Sequence, residues 1–194
     1  MATLFVDKID PQSGTTLSLG SSGDTLQATT GTTNNLGISM TDFWYFNATQ
    51  SISANTSTTL TNWSRTPLDS TTGTIGLNMS ESSGIFTFPQ TGIYNISSSI
   101  EFLSTSTSGY RYVQGQMLTT LDNSTYITRS IATSSIGTGI NSSFANVNVN
   151  YIMDVPDTSN YKLKINAQMV LAGQVYRNAG NARTNVIFTR IGDT

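Results

Sequence analysis

A chain of 194 residues, 37% hydrophobic and only 10% charged, fits one domain of ordinary size with about 40 residues left over for an appendage. Serine and threonine together fill 58 positions (26 Ser + 32 Thr), so hydroxyls and amides rather than ions meet the water. There is no Cys and no His, which excludes disulfide scaffolds, thiolate or imidazole zinc sites, Cys nucleophiles and Ser-His-Asp triads; 9 basic against 11 acidic residues, net −2, lack the basic field that a nucleic-acid surface needs.

Residues 1–7 carry neither a basic n-region nor an apolar h-region, which predicts no signal peptide. The longest apolar runs, 43–46 and 169–172, are far too short to span a bilayer and predict no membrane insertion. Residues 1–40 are poor in large apolar side chains and rich in Gly, Ser and Thr, and the composition changes between Ile38 and Thr41. Within this first part Ser13-Gly14-Thr15-Thr16-Leu17 is echoed nine residues later by Ser22-Gly23-Asp24-Thr25-Leu26. Each copy reads as a Gly turn and a very short β segment that gains order only by packing against other copies. An extended N-terminal arm over 1–40 is therefore expected, followed by a head over 41–194; a flexible Ser/Thr/Gly linker is the plainer alternative for the arm.

From residue 41 on the hydrophobic period is two. Phe43-Trp44-Tyr45-Phe46 is apolar on both faces of any strand it forms, so one face needs a cover beyond the chain's own core. A subunit contact is the expected cover, since obligate interfaces are aromatic-rich, against the alternative of an edge capped by the arm. Further strands follow at 94–102, 110–121, 126–132, 145–153, 161–169 and 184–191. The clearest is 161–169, where Tyr161, Leu163, Ile165, Ala167 and Met169 alternate with Lys162, Lys164, Asn166 and Gln168. Turn signals separate these strands at 89–92, 104–109, 122–124, 137–141, 154–160 and from 173 through 181. With no convincing helix, the pattern implies an all-β sandwich of jelly-roll or immunoglobulin-like type.

The stretch Gly84-Ile85-Phe86-Thr87-Phe88-Pro89-Gln90-Thr91-Gly92-Ile93-Tyr94 resembles the Phe-Thr-x-Pro-x-x-Gly-x-Tyr pattern of the complement C1q and tumour necrosis factor-like jelly rolls, with Phe86, Pro89, Gly92 and Tyr94 as its matching positions. Physically, a strand ends at Pro89, Gly92 permits the turn, and Tyr94 opens the next strand into the core. The sequence departs from the family at Ile96, at Met79 and in 186–191, so the resemblance implies the superfamily rather than a close subfamily. It covers about residues 50–194, and it implies a jelly-roll fold and a homotrimer. Separately, Val6-Asp7-Lys8-Ile9-Asp10-Pro11 and the Gly/Ser/Thr-rich run to Thr25 are similar to the start of fibre and tail proteins of marine tailed bacteriophages. Together the two resemblances imply a structural virion protein, made in the host cytoplasm and carried on a tail or capsid fibre. Its arm would contact other virion proteins, and its head would meet a host-surface glycan or protein.

No catalytic, cofactor or metal site is expected. The chain has two Glu, Glu81 and Glu101, and nine Asp placed mostly in turns, with nothing to suggest a converging pair of carboxylates. Asp154 and Asp157 have oxygens that calcium would accept, yet two carboxylates in a turn are more simply Asx-turn formers. Seven Asn-x-Ser/Thr sequons compare with about five expected from this composition, so no glycosylation is read from them. Receptor contacts are expected in the loops 104–112, 134–141 and 176–183, with Tyr110, Arg111, Tyr112, Tyr176 and Arg177 as sugar-stacking and hydrogen-bonding candidates, although core packing of one Tyr and solvent exposure of Arg111 account for 110–112 equally well. The rival readings are a bacterial C1q-like carbohydrate-binding adhesin or lectin, which a secretion signal would support, and a glycan-degrading tip enzyme, which the scarcity of Glu disfavours.

Overall fold

The structure, a computed structural model, describes residues 38–65, 73–138, 142–177 and 181–194. These belong to the second of two units, Met1–Leu36 and Gly37–Thr194. The short β segments expected in the arm lie outside the described residues, as do parts of two candidate loops, 139–141 and 178–180.

Thirteen strands and no helix occur among the described residues: β1 (Met40–Phe46), β2 (Gln50–Ile52), β3 (Thr58–Thr59), β4 (Trp63–Ser64), β5 (Ser80–Ser82), β6 (Ile85–Thr87), β7 (Gly92–Ser104), β8 (Tyr110–Thr120), β9 (Ile127–Ile136), β10 (Phe144–Val155), β11 (Lys162–Met169), β12 (Gly173–Val175) and β13 (Asn185–Gly192). The principal pairings are nested and antiparallel: β8 with β9, β7 with β10, β6 with β11, and β1 with β13. Such nesting is one long hairpin wound upon itself, which is a jelly roll. One sheet runs β2-β12-β7-β13-β1-β4 with β10 on the other side of β7; the second runs β5-β6-β11-β8-β9, with β3 added to β11.

Alternation decides which face goes inward. On β10, Val147, Val149, Met153 and Val155 are buried while Asn146, Asn148 and Asn150 face water. On β11, Leu163, Ile165, Ala167 and Met169 are buried between the sheets. Each such side chain contributes about 1.5–3 kcal/mol on leaving water, which offsets the entropy of ordering a chain so rich in small polar residues. The aromatic centre is Phe86, fully buried, with its ring 5.5 Å from Trp44, 5.7 Å from Trp63 and 4.9 Å from Phe188. It links β6 of one sheet to β1 and β13 of the other. Tyr94 is equally buried, 4.7 Å from Phe88, and donates its hydroxyl to Gln90 O. Gly92 has φ +143°, and a Cβ there would lie 2.6 Å from Gly192 O, so this turn requires glycine. Pro89 precedes it, partly exposed, just beyond β6.

The β5–β9 sheet has its outer face partly covered by the segment 53–59. Ser57 donates to Gln116 Oε1 at 2.7 Å and accepts from Asn166 Nδ2 at 2.9 Å, while Thr59 donates to Asn166 Oδ1 at 3.0 Å. Gln116 also donates to Gln168 Oε1, so the buried amides Gln116 and Asn166 are all partnered, the condition on which burial of amides is tolerable.

Three expectations need revision. β9 runs on through Ile136, which is buried and paired with Tyr110, so 134–136 belong to a strand and not to the expected loop 134–141. Residues 173–175, read as turn, form β12, because Val175 is buried against β7 and three residues are too few to show a period. β10 extends through Asp154 and Val155 since its ladder with β7 runs to Gly92.

Candidate functional site

Strand directions sort the connections into two ends. Met40 pairs with Arg190, and Arg190 with Tyr94, so β1 and β7 both start at one end, here proximal, where the chain enters from Ile38. β7 finishes at the other, distal end. The links β7–β8, β9–β10 and β11–β12 lie there, and with them two of the three loops expected to bind; the third, between the collinear β12 and β13, leaves the sheet edge beside Glu101.

These loops hold one another. Ser104 N donates to Ser143 O at 2.9 Å and Ser104 Oγ accepts from Ser143 N at 3.0 Å. Thr105 Oγ1 and Tyr110 OH both donate to Ala172 O, at 3.0 and 2.6 Å. A Cβ on Gly109 would sit 2.8 Å from Thr138 Cγ2, so the first two loops touch. Arg177 N donates to Thr49 Oγ1 at 3.1 Å.

Beside them, on the outer face of the β7-containing sheet, lies a cluster in which the expected Tyr176 is joined by Glu101, Phe144 and Arg183, none of them singled out by the sequence. Glu101 stands opposite Asn146 on β10, and its carbonyl accepts from Tyr176 N at 2.8 Å. Its Oε1 accepts from Arg183 Nη1 at 2.8 Å, and the Glu101 side chain is only 9% exposed against 47% for Arg183. Glu101 Oε2 is buried without a hydrogen-bond partner. Phe144, 48% exposed, meets Tyr176 edge to face at 5.3 Å between centroids. Thr184 Oγ1 ties the parts together, accepting from Glu101 N and donating to Tyr176 O. No local signal marks this cluster. Glu101 sits in phase with the wet face of its strand, Arg183 lies 82 positions away, and only strand register joins them.

The expected receptor residues divide. Tyr110 is corrected to a core residue: it is fully buried, and its hydroxyl donates to Ala172 O and accepts from Thr105 N. Arg111 is exposed, and Tyr112 is half-buried with its hydroxyl on Asn55 Oδ1 at 2.8 Å. Both follow the first distal loop. Tyr176 and Arg177 open the third loop, the first half-buried and the second exposed.

The strand expected at the subunit contact also divides. Trp44 and Phe46 are corrected to core positions, buried against Phe86 and Trp63 of the same chain, because the even positions of β1 face inward. Phe43 and Tyr45 point outward, half-buried, beside Ile187 and Asn185 of β13. In phase with Trp44 lies Asp42, completely buried, accepting from Trp44 Nε1 at 3.0 Å and Met79 N at 2.8 Å, with Arg65 Nη1 at 3.9 Å. Burial pushes its carboxyl above the ordinary value, against the pull of those donors and of Arg65.

At the proximal end the acidic residues build turns. Asp157 accepts from Ser159 N and Asn160 Nδ2, both at 2.7 Å, and Asp122 Oδ1 accepts from Ser124 N at 2.9 Å and Thr125 N at 2.7 Å. Backbone donors hold both carboxyls below the usual carboxylate range, led by Ser159 for Asp157 and Thr125 for Asp122. Asp154 is exposed on the outer face of β10. Among the described residues no three His, Cys, Asp or Glu side chains converge as a metal site would require.

Two antiparallel sheets with these nested pairings define a tumour necrosis factor-like jelly roll. Eiger TNF from S. frugiperda has a similar solved structure, with TM-score 0.60 and 11% identity over 80% of this chain and 94% of that one. Murine APRIL matches at TM-score 0.57 and 10% identity over 78% and 98%. At such identities the likeness is one of fold. No family model matches the chain, and no curated protein matches it.

Proposed function

We propose that the protein is a structural and adhesive component of a bacteriophage virion. It is a trimeric fibre or tail protein, attached through residues 1–40, whose head meets the host surface through its distal loops. The observation that carries this reading is the position of the β7–β8 and β9–β10 loops at the end opposite chain entry, the end an N-terminally anchored head displays outward, with the β12–β13 loop emerging just below it beside Glu101. The phage-like N-terminal stretch supplies the virion context. Three-fold association is supported by the outer face of the β7-containing sheet, where Phe43, Tyr45, Ile187 and Ile152 are incompletely covered and Ile152 is 62% exposed. It is also supported by the part of β10 from Asn148 on, which pairs on one side with β7 among the described residues and carries no charge before Asp154. Long uncharged edges invite pairing or packing with another chain. No step of this function needs a catalytic group. In the test, host cells are preincubated with the purified protein before phage is added. The parent protein should block phage adsorption. A form with 105–109, 137–141 and 177–182 replaced by Gly/Ser turns, outside the strands and their buried partners, should not block, although folded and trimeric. Equal blocking by both forms would refute adhesion through these loops.

A further inference from the structure

We infer that the Glu101–Arg183 pair and the Phe144–Tyr176 rings form a saccharide site on each head. This rests on the adhesive reading above and gives it a location and a ligand class. The carboxylate is more than nine-tenths buried, yet one of its oxygens has no partner. A buried unsatisfied charged oxygen is costly unless something donates to it. The exposed side chains of the cluster are Arg183 and Phe144. The inferred site therefore requires Phe144 to turn aside for a donor to reach Oε2.

The chemistry selects the donor. Glu101 and Arg183 together carry no net charge, so neither a metal cation nor a phosphate gains from the pair. What remains is a strong acceptor at Oε2 next to a guanidinium that has five N–H donors and spends Nη1 on Oε1. An acceptor and a donor side by side match two adjacent hydroxyls of a pyranose, one donating to Oε2 and one accepting from Arg183. Phe144 and Tyr176 supply the apolar wall that a sugar's C–H face packs against. Asn146, exposed opposite Glu101 and hydrogen-bonded through its amide to Ser99 Oγ, keeps a second N–H for a third hydroxyl. One such site binds weakly, and three on a rigid trimer raise avidity on a repetitive surface by about a hundred-fold or more.

The test is saturation-transfer NMR on the full chain, using the methyl glycosides of galactose, mannose, glucose and rhamnose as probes, with adsorption to host cells measured in parallel. At least one glycoside should bind. Glu101→Gln and Phe144→Ser should each weaken it ten-fold or more with circular dichroism and trimer mass unchanged, and Ile127→Ser, at the proximal end, should leave it unaltered. If Glu101→Gln fails to fold, the exposed Phe144→Ser decides. Glycoside binding that survives both substitutions overturns this site and leaves the adhesive reading standing. Adsorption without binding of any glycoside overturns the saccharide assignment alone, whereas loss of both overturns the adhesive reading as well. Loss of trimer mass in Phe144→Ser identifies the cluster as a subunit contact and also overturns the site.

Discussion

Phe86→Ala tests the packing logic of the head at its most constrained point. The ring is fully buried and meets Trp44, Trp63 and Phe188 at centroid distances of 4.9 to 5.7 Å. Truncating a buried Phe costs about 3–5 kcal/mol through lost transfer energy and the residual cavity. The upper half of that range is expected here, because Trp44 and Phe188 are anchored in the opposite sheet and cannot collapse into the space. Against a domain stability of about 5–15 kcal/mol the loss is large. With a urea slope of about 2 kcal/mol per M, the midpoint should fall by about 2 M. Trp44 and Trp63 are the chain's two tryptophans and both flank the site, so their fluorescence reports it directly. Protein concentration must be held fixed, since self-association adds to apparent stability. Phe86→Leu, which keeps most of the volume, should cost about 1–2 kcal/mol. A midpoint shift below about 0.3 M for Phe86→Ala, with tryptophan emission unchanged, would refute the claim that this ring joins the sheets.

Gly92→Ala should destabilise the head by about 1–3 kcal/mol by calorimetry, since φ +143° and the approach of Gly192 O leave no place for a Cβ. Carbon-13 carboxyl titration should find Asp42 protonating above the ordinary aspartate range and Asp122 and Asp157 below it. A raised folded-state pKa means the folded protein holds that proton more tightly. The stability Asp42 contributes at low pH is therefore lost as pH rises through the raised value, and Asp42→Asn should abolish that fall. For Asp122 and Asp157 the sign reverses: their contribution is present above the ordinary carboxylate value and disappears as pH falls through the depressed one. Tyr45→Glu should yield a folded chain whose light-scattering mass drops from three chains to one, whereas Phe46→Glu should unfold it, because the first points outward and the second into the core.

The long strands were legible because their neighbours differ so sharply in polarity. Asn146, Asn148 and Asn150 between Val147, Val149 and Tyr151 leave one register only, and the alternation at 161–169 predicts β11 to within one residue. The short strands β2 to β5 and β12 escape because two or three residues carry no period, and their place is fixed by the long strands they border. Asp42 was legible in principle, since Met40, Asp42, Trp44 and Phe46 share one phase. Tyr110-Arg111-Tyr112 misled because a bulge between Tyr110 and Val113 shifts the phase of β8, so that Tyr110 and Tyr112, two residues apart, do not share a face and the first enters the core. The distal clustering of the loops and the Glu101–Arg183 pair follow from strand direction and register, which no local pattern encodes.

A cryo-EM map of phage particles produced by the genome that encodes this chain tests the proposal most directly. On the proposal, the map shows three copies related by a three-fold axis, joined to the virion through their N-terminal arms, with the β7–β8 and β9–β10 loops at the outer tip. Particles lacking the chain, or heads turned so that those loops face the virion, would contradict the proposal.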